Sequence, residues 1–299
     1  MAHTHSHTHF HEVGRIGRAF TIGIALNLAF VAVEFAAGLR LDSVALVSDA
    51  GHNLSDVVGL VLALLAFKLA RIRPTSRYTY GYKKSTVLVS LLNACILLVA
   101  VGAILVESIR KLSDPQPVAG NDIAWVAGVG IVINALTAWL FVRDKEKDLN
   151  IKGAYLHMAA DTLVSAGVVV SGLAMGWTGW YAIDPIVGIV IALVILASTS
   201  KLLLASLRLS LDGVPAGIDI ERMRRELLDD IPEICDIHHL HIWPISTTEN
   251  ALTAHVVIRT FDDMDRIKHR LRERLSEHDI RHVTLEFEKE GAPCDNPCI

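Results

Sequence analysis

The stretch LDSVALVSDAGHNLSDVVGLVLALLAF, residues 41–67, is apolar over most of its length yet carries Asp42, Asp49, His52 and Asp56. It is longer than the roughly 20 residues a helix needs to cross a hydrocarbon core. A charge at the bilayer centre costs at least about 2.5–3.5 kcal/mol, so an ionisable residue there reads as functional by default. His52 and Asp56 stand four apart, and His157 and Asp161 repeat that spacing in a second apolar stretch, 153–183. Residues i and i+4 share one helix face, so each pair projects toward one point. Two imidazoles and two carboxylates form a His2Asp2 set that suits a tetrahedral, borderline-soft divalent ion, zinc first. The competing reading makes each pair a buried hydrogen bond tying the bundle together. Such ties are costly, and an apolar contact would serve as well.

Further apolar stretches lie at 19–39, 85–106, 123–142 and 185–207, so the spacing predicts six membrane helices within residues 15–211. Of the 299 residues, 52% are hydrophobic, and the mean hydropathy is +0.42. This excludes a disordered chain and argues against an ordinary soluble globule. The charges divide unevenly. Residues 1–211 hold 17 basic and 13 acidic side chains, whereas residues 212–299 hold 11 and 19, a net of +4 against −8. Lysine and arginine gather between helices two and three (Lys68, Arg71, Arg73, Arg77, Lys83, Lys84) and between four and five (Arg143, Lys145, Lys147, Lys152). The positive-inside rule then places both termini in the cytoplasm, with Trp177, Trp180 and Tyr181 at the opposite interface. Arg110 and Lys111 are the one discordant pair.

Glu34 and Asp49 are the other membrane acids. Asp49 is read as a group behind the ligands or a pore residue, or else as a cap or a tie to Asn27 or Asn93, and Glu34 is similarly open. Asp184, followed by Pro185, reads as a helix N-cap. The N-terminal segment, 1–14, has no signal peptide. Its His3, His5, His7, His9 and His11 alternate with other residues, a tract that can collect metal weakly. The four cysteines, Cys95, Cys235, Cys294 and Cys298, make no disulfide framework. Cys294 and Cys298, in the terminal segment 291–299, are read as a metal or redox pair or as two idle thiols.

Residues 212–290 have their own periodicity. Ile220, Met223, Leu227 and Ile231, and later Met264, Ile267, Leu271 and Leu275, recur at helical spacing. Strand-like runs cover 237–243 and 252–258, and Val283, Leu285 and Phe287 alternate with polar residues. The order α-β-β-α-β predicts a small α+β domain. Its modest core suggests that it pairs with a second copy or binds metal.

The run Ser48-Asp49-Ala50-Gly51-His52-Asn53-Leu54-Ser55-Asp56, together with His157-Met158-Ala159-Ala160-Asp161, resembles the cation diffusion facilitator family of zinc/proton antiporters. The resemblance extends through Tyr78-Thr79-Tyr80-Gly81-Tyr82-Lys83, Asp184-Pro185-Ile186-Val187 and His238-His239-Leu240-His241-Ile242-Trp243, and covers nearly the whole chain. It implies a homodimer, a metallochaperone-like cytoplasmic domain and zinc export in exchange for protons. The expected setting is a lipid bilayer, the bacterial inner membrane, with no enzymatic activity and no nucleic-acid partner. It also implies that His238, His255, Glu286 and Glu288 hold a regulatory zinc, with His282 close by. Strand alternation puts His239 and His241 on different faces, so at most one joins His238. Two departures stand out. The loop 143–152 has no histidine, and Ser85-Thr86 replaces the Ala-Glu common in relatives. The turn between helices two and three lacks histidine, so no metal is expected there.

Two other functions compete. An intramembrane aspartyl protease would use Asp56 and Asp161, but it has no use for a histidine one turn before each acid. A membrane-anchored zinc sensor would explain the tail but leave four intramembrane ionisable residues without a purpose.

Overall fold

The computed structural model describes residues 7–40, 44–113, 121–180 and 182–292. Six long helices come first: α1 His7–Arg40, α2 Val44–Leu69, α3 Ser85–Ser113, α4 Asn121–Val142, α5 Leu149–Thr178 and α6 Ile183–Ser210. α1 begins inside the histidine tract. α6 starts at Ile183 with Ala182 as its N-cap, so Asp184 lies within the first turn instead of capping it. Pro185 needs no hydrogen-bond partner in that turn, which makes either start compatible with proline. Arg110 and Lys111 occupy the last turn of α3, where the terminal carbonyls favour cations and explain this pair without reference to orientation.

The helices pack in tight pairs, α1 on α2, α4 on α5 and α3 on α6. Phe20, Leu60, Phe141 and Met158 form an interior cluster, with the Phe20 and Phe141 rings 4.8 Å apart. Small and polar residues let α3 and α6 approach closely. Ser90 and Ser206 hydroxyls meet at 2.8 Å, and a Cβ on Gly188 would lie 2.4 Å from Ser108 Oγ. Asn27 Nδ2 donates to Thr137 Oγ1 at 3.0 Å, so this asparagine joins α1 to α4. Large apolar side chains such as Val99, Val106, Trp139 and Leu204 face outward, the reverse of a soluble bundle. Among the described residues, 17–37, 85–113 and 185–210 are long and apolar enough to cross a membrane by length and composition.

The C-terminal unit follows as α7 Ile220–Asp230, β1 Ile234–Pro244, β2 Asn250–Ile258, α8 Met264–Glu277 and β3 Ile280–Lys289, in the order expected. Asp219 caps α7 by accepting from the Arg222 amide at 3.0 Å. β2 is central, antiparallel to β1 and parallel to β3, with α8 as the crossover. Leu252, Ala254, Val256 and Ile258 alternate inward from β2 and pack on Met223 and Leu227 of α7 and on Ile267, Leu271 and Leu275 of α8. That alternation sends the intervening side chains, His255 among them, to the opposite face.

The two units join at the basic ends of the helices. Lys84 Nζ donates to the carbonyls of Leu209 and Pro244 at 3.1 and 3.0 Å and to Asp212 at 2.5 Å, which uses all three of its protons. Lys83 pairs with Glu249 at 2.5 Å. Lys84→Met should weaken this junction by about 2 kcal/mol, because the carbonyl bonds to a charged donor outweigh the exposed pair with Asp212. Amide hydrogen exchange at residues 208–216 should then quicken about 30-fold. Unchanged exchange would show that Lys84 does not hold the units together.

Candidate metal centre

α2 and α5 bring Asp56, His157 and Asp161 together inside the bundle. One ligand atom from each lies within 4.8 Å of the others. Asp56 is 2% exposed, and its Oδ1 contacts His157 Nε2. Asp161 Oδ2 stands 3.9 Å from the same nitrogen, one turn further along α5. Such an arrangement places two carboxylates around one imidazole, a donor set for a divalent cation. The backbone of His52 lies on α2 one turn before Asp56, but its side chain and that of Asp49 are outside the described residues.

A small cavity of about 20 Å³ adjoins the cluster, lined by Asp56, Gly59, Asn93, Gly153 and His157 among others. Its volume suffices for one water or ion. Gly59 and Gly153 lie on the side of the cluster nearer the C-terminal unit, so the void sits between the ligands and that end of the bundle. Asn93, read as one partner for Asp49, lines this cavity. Glu34 is fully buried and accepts from Asn53 Nδ2 at 2.7 Å, which ties α1 to α2 one residue beyond His52. Nothing in the separate segments signals that pairing.

A second cluster lies on the sheet of the C-terminal unit. His238 and His255 are direct partners across β1 and β2, and His255 faces Glu286 across β2 and β3. His255 Nδ1 lies 2.6 Å from Glu288 Oε1, whose other oxygen is 3.4 Å from His238 Nε2. Ligand atoms of His238, His255 and Glu288 gather within 4.8 Å. Glu286 approaches the other nitrogen of His255, at 3.4 Å, and is 69% exposed. His282 is not part of this group. Its ring meets Tyr80 edge-on at 5.4 Å, at the loop between α2 and α3, because it stands four residues before Glu286 along β3.

His239 departs from the expected alternation. The β1–β2 register slips between His238 and His241, and His239 has a φ of +48°. This bulge turns its ring onto the cluster, with centroids 5.4 Å from His238 and 4.8 Å from His255. His241 is exposed. Histidine is enriched in the left-handed region alongside asparagine, but too weakly to mark His239 from the sequence. Cys294 and Cys298 lie outside the described residues; Cys95 is exposed on α3 and Cys235 is partly buried.

The β1–β2 loop reaches the first turn of α5. Asp148 Oδ1 accepts from the amides of Asn150 and Ile151 at 2.7 and 3.2 Å, which caps the helix carrying His157 and Asp161. Its other oxygen accepts from the Thr247 hydroxyl, and the Thr247 amide donates to Thr86 Oγ1 at 3.1 Å. Thr86 therefore holds the loop of the C-terminal unit. Burial pushes the Asp148 carboxyl above its usual range despite hydrogen bonds from Thr247, Asn150 and Ile151.

Residues 20–209 match the cation efflux transmembrane domain, and residues 215–290 match the cytoplasmic domain of cation efflux proteins. The chain is 35% identical over 300 residues to the zinc transporter ZitB of Escherichia coli, covering 99% of this chain and 95% of that protein. It is 32% identical over 296 residues to a Bacillus subtilis protein named cadmium, cobalt and zinc/H(+)-K(+) antiporter, covering 97% and 95%. It is also 33% identical over 294 residues to the metal cation efflux system protein CzcD of Cupriavidus metallidurans, covering 97% and 91%. With two family domains in succession and likeness over nearly its full length, the chain belongs to the cation diffusion facilitator family of membrane cation efflux transporters.

Proposed function

We propose that this protein exports zinc from the cytoplasm in exchange for protons, using Asp56, His157, Asp161 and His52 as the transport ligands. The observation that carries this reading is the convergence of Asp56, His157 and Asp161 from two helices to within 4.8 Å inside the bundle. His52 precedes Asp56 by one turn on α2 and is the fourth ligand by spacing. Zinc binds neutral imidazole and ionised carboxylate, so loading releases protons and protonation releases metal. The four ligands thereby carry both cargoes, one at a time. Alternating access then exposes the site to each side in turn. The cavity toward the C-terminal unit supports loading from that side.

All six long helices cross the membrane in this reading. α2 and α5 carry the ligands in otherwise apolar sequence. Residues 15–211 make the transmembrane domain and 212–290 the cytoplasmic domain, flanked by the histidine tract 1–14 and the cysteine segment 291–299. Both termini face the cytoplasm of a bacterium, where Lys68 at the end of α2 and Arg71, Arg73 and Lys145 in the loops gather near the C-terminal unit. The protein works as a homodimer, since the isolated C-terminal core is small. The names of the relatives support zinc, with cadmium and cobalt as competitors for the same ligands. The Bacillus relative's name also includes potassium as a counter-ion.

In the cytoplasmic domain, His238, His255 and Glu288 hold a regulatory zinc. Imidazole and carboxylate suit that ion, and Glu286 on the second nitrogen of His255 would orient the ring. Purified protein in sealed liposomes should carry zinc to an enclosed fluorescent indicator. Zinc binding without transport would favour a membrane-anchored sensor instead.

A further inference from the structure

The cytoplasmic cluster gathers three ligand groups, whereas a structural zinc site is closed by four. One strained residue stands beside it. His239 adopts a φ of +48° at a slip in the β1–β2 register, a conformation that is unfavourable for a non-glycine residue. Glycine or asparagine would fill such a bulge at lower cost. The strain has a definite result. In a regular strand His239 would point away from His238, but the bulge places both rings beside His255, at 4.8 Å from His239 and 5.3 Å from His238. The backbone has been bent so that consecutive residues present two imidazoles to one place.

We infer that His239 is the fourth ligand of the cytoplasmic site, which is then His238, His239, His255 and Glu288. This rests on the reading of that cluster as a metal site. Three imidazoles and one carboxylate favour zinc, cobalt and copper over magnesium, calcium and manganese. His239 is outside the group whose ligand atoms gather within 4.8 Å, so a bound ion has to draw its ring inward. Asp236, the other acid near His238 at 3.6 Å, is engaged by Arg224 and contributes no ligand.

The test uses the full chain in detergent with His157→Ala and Asp161→Asn to remove the transport site, and with His3, His5, His7, His9 and His11 changed to Ala and Cys294 and Cys298 to Ser to remove the other metal-collecting segments. His239→Asn and His239→Gly both tolerate positive φ, so neither should unfold the domain. Each should weaken zinc binding at least about tenfold. Each should also weaken the visible absorption of bound cobalt, because a tetrahedral ligand has been lost. The thermal stability of the metal-free protein should hold or rise. If affinity and the cobalt spectrum stay unchanged while His255→Ala abolishes binding, the site stands but His239 is not its ligand. If His255→Ala also leaves binding intact, the cluster is not a metal site, and the inference falls with it.

Discussion

Zinc flux through Asp161→Asn should fall at least about a hundredfold. In the proposed His2Asp2 set two carboxylates neutralise a divalent ion, and the amide would leave one positive charge uncompensated inside the bundle. An uncompensated charge at membrane depth costs about 2.5–3.5 kcal/mol even on the lowest scales, which corresponds to roughly two decades in occupancy. His157→Ala should match it, since His157 sits between both acids, in contact with Asp56 and 3.9 Å from Asp161. Thr162→Ala is the control. Its hydroxyl bonds back to the Met158 carbonyl at 2.7 Å, next door to the site but turned along the helix. Zinc entry into indicator-loaded proteoliposomes measures all three. Wild-type flux in Asp161→Asn would remove this residue from the transport path.

The second large effect is expected at the junction. Asp148→Ala should destabilise the protein by about 2–3 kcal/mol. It removes the α5 cap, worth about 0.5–2 kcal/mol, and leaves the half-buried Thr247 hydroxyl without its acceptor. Asp148→Asn separates charge from capping, because the amide oxygen still accepts from the Asn150 and Ile151 amides. Burial raises the carboxyl in the folded state above its unfolded value, so the folded protein holds the proton more tightly. Stability from this group is therefore present at low pH, falls as pH rises from the unfolded to the folded value, and is flat above it. In Asp148→Asn that decline should vanish from thermal unfolding followed against pH. An unchanged or inverted difference between the two proteins would show that Asp148 is not the titrating group. Because Asp148 begins the helix that carries His157 and Asp161, the alanine variant should also slow zinc flux several-fold.

Much of this architecture is legible in the sequence because its signals are local. The repeated His-x-x-x-Asp spacing sits within single helices, and the structure brings Asp56, His157 and Asp161 into one cluster. The alternation of Leu252, Ala254, Val256 and Ile258 likewise fixes which face of β2 is core. The pairing of His238 with His255 depends on the register of two strands and on the resemblance to a known family. What escapes the sequence is non-local or conformational. His239 joins the cluster through one left-handed residue that cancels the period of two, and nothing in its type announces that. Asp148 and Thr247 stand 99 positions apart, and Glu34 and Asn53 belong to different helices, so no spacing rule connects them. His282 reads as a neighbour of the cluster because it is near in sequence, yet the parallel strand carries it to Tyr80. Asp184 reads as a cap because Asp-Pro is a familiar start, but α6 begins one residue before it.

The measurement that tests proton-for-zinc exchange most directly is paired recording of zinc and internal pH in sealed proteoliposomes under an imposed pH gradient. Zinc should move uphill against its own gradient while protons move the opposite way, and reversing the pH gradient should reverse both. In Asp161→Asn neither ion should move. Zinc flux that ignored the pH gradient, or that persisted in Asp161→Asn, would contradict an exchange of the two cations through one shared set of ligands.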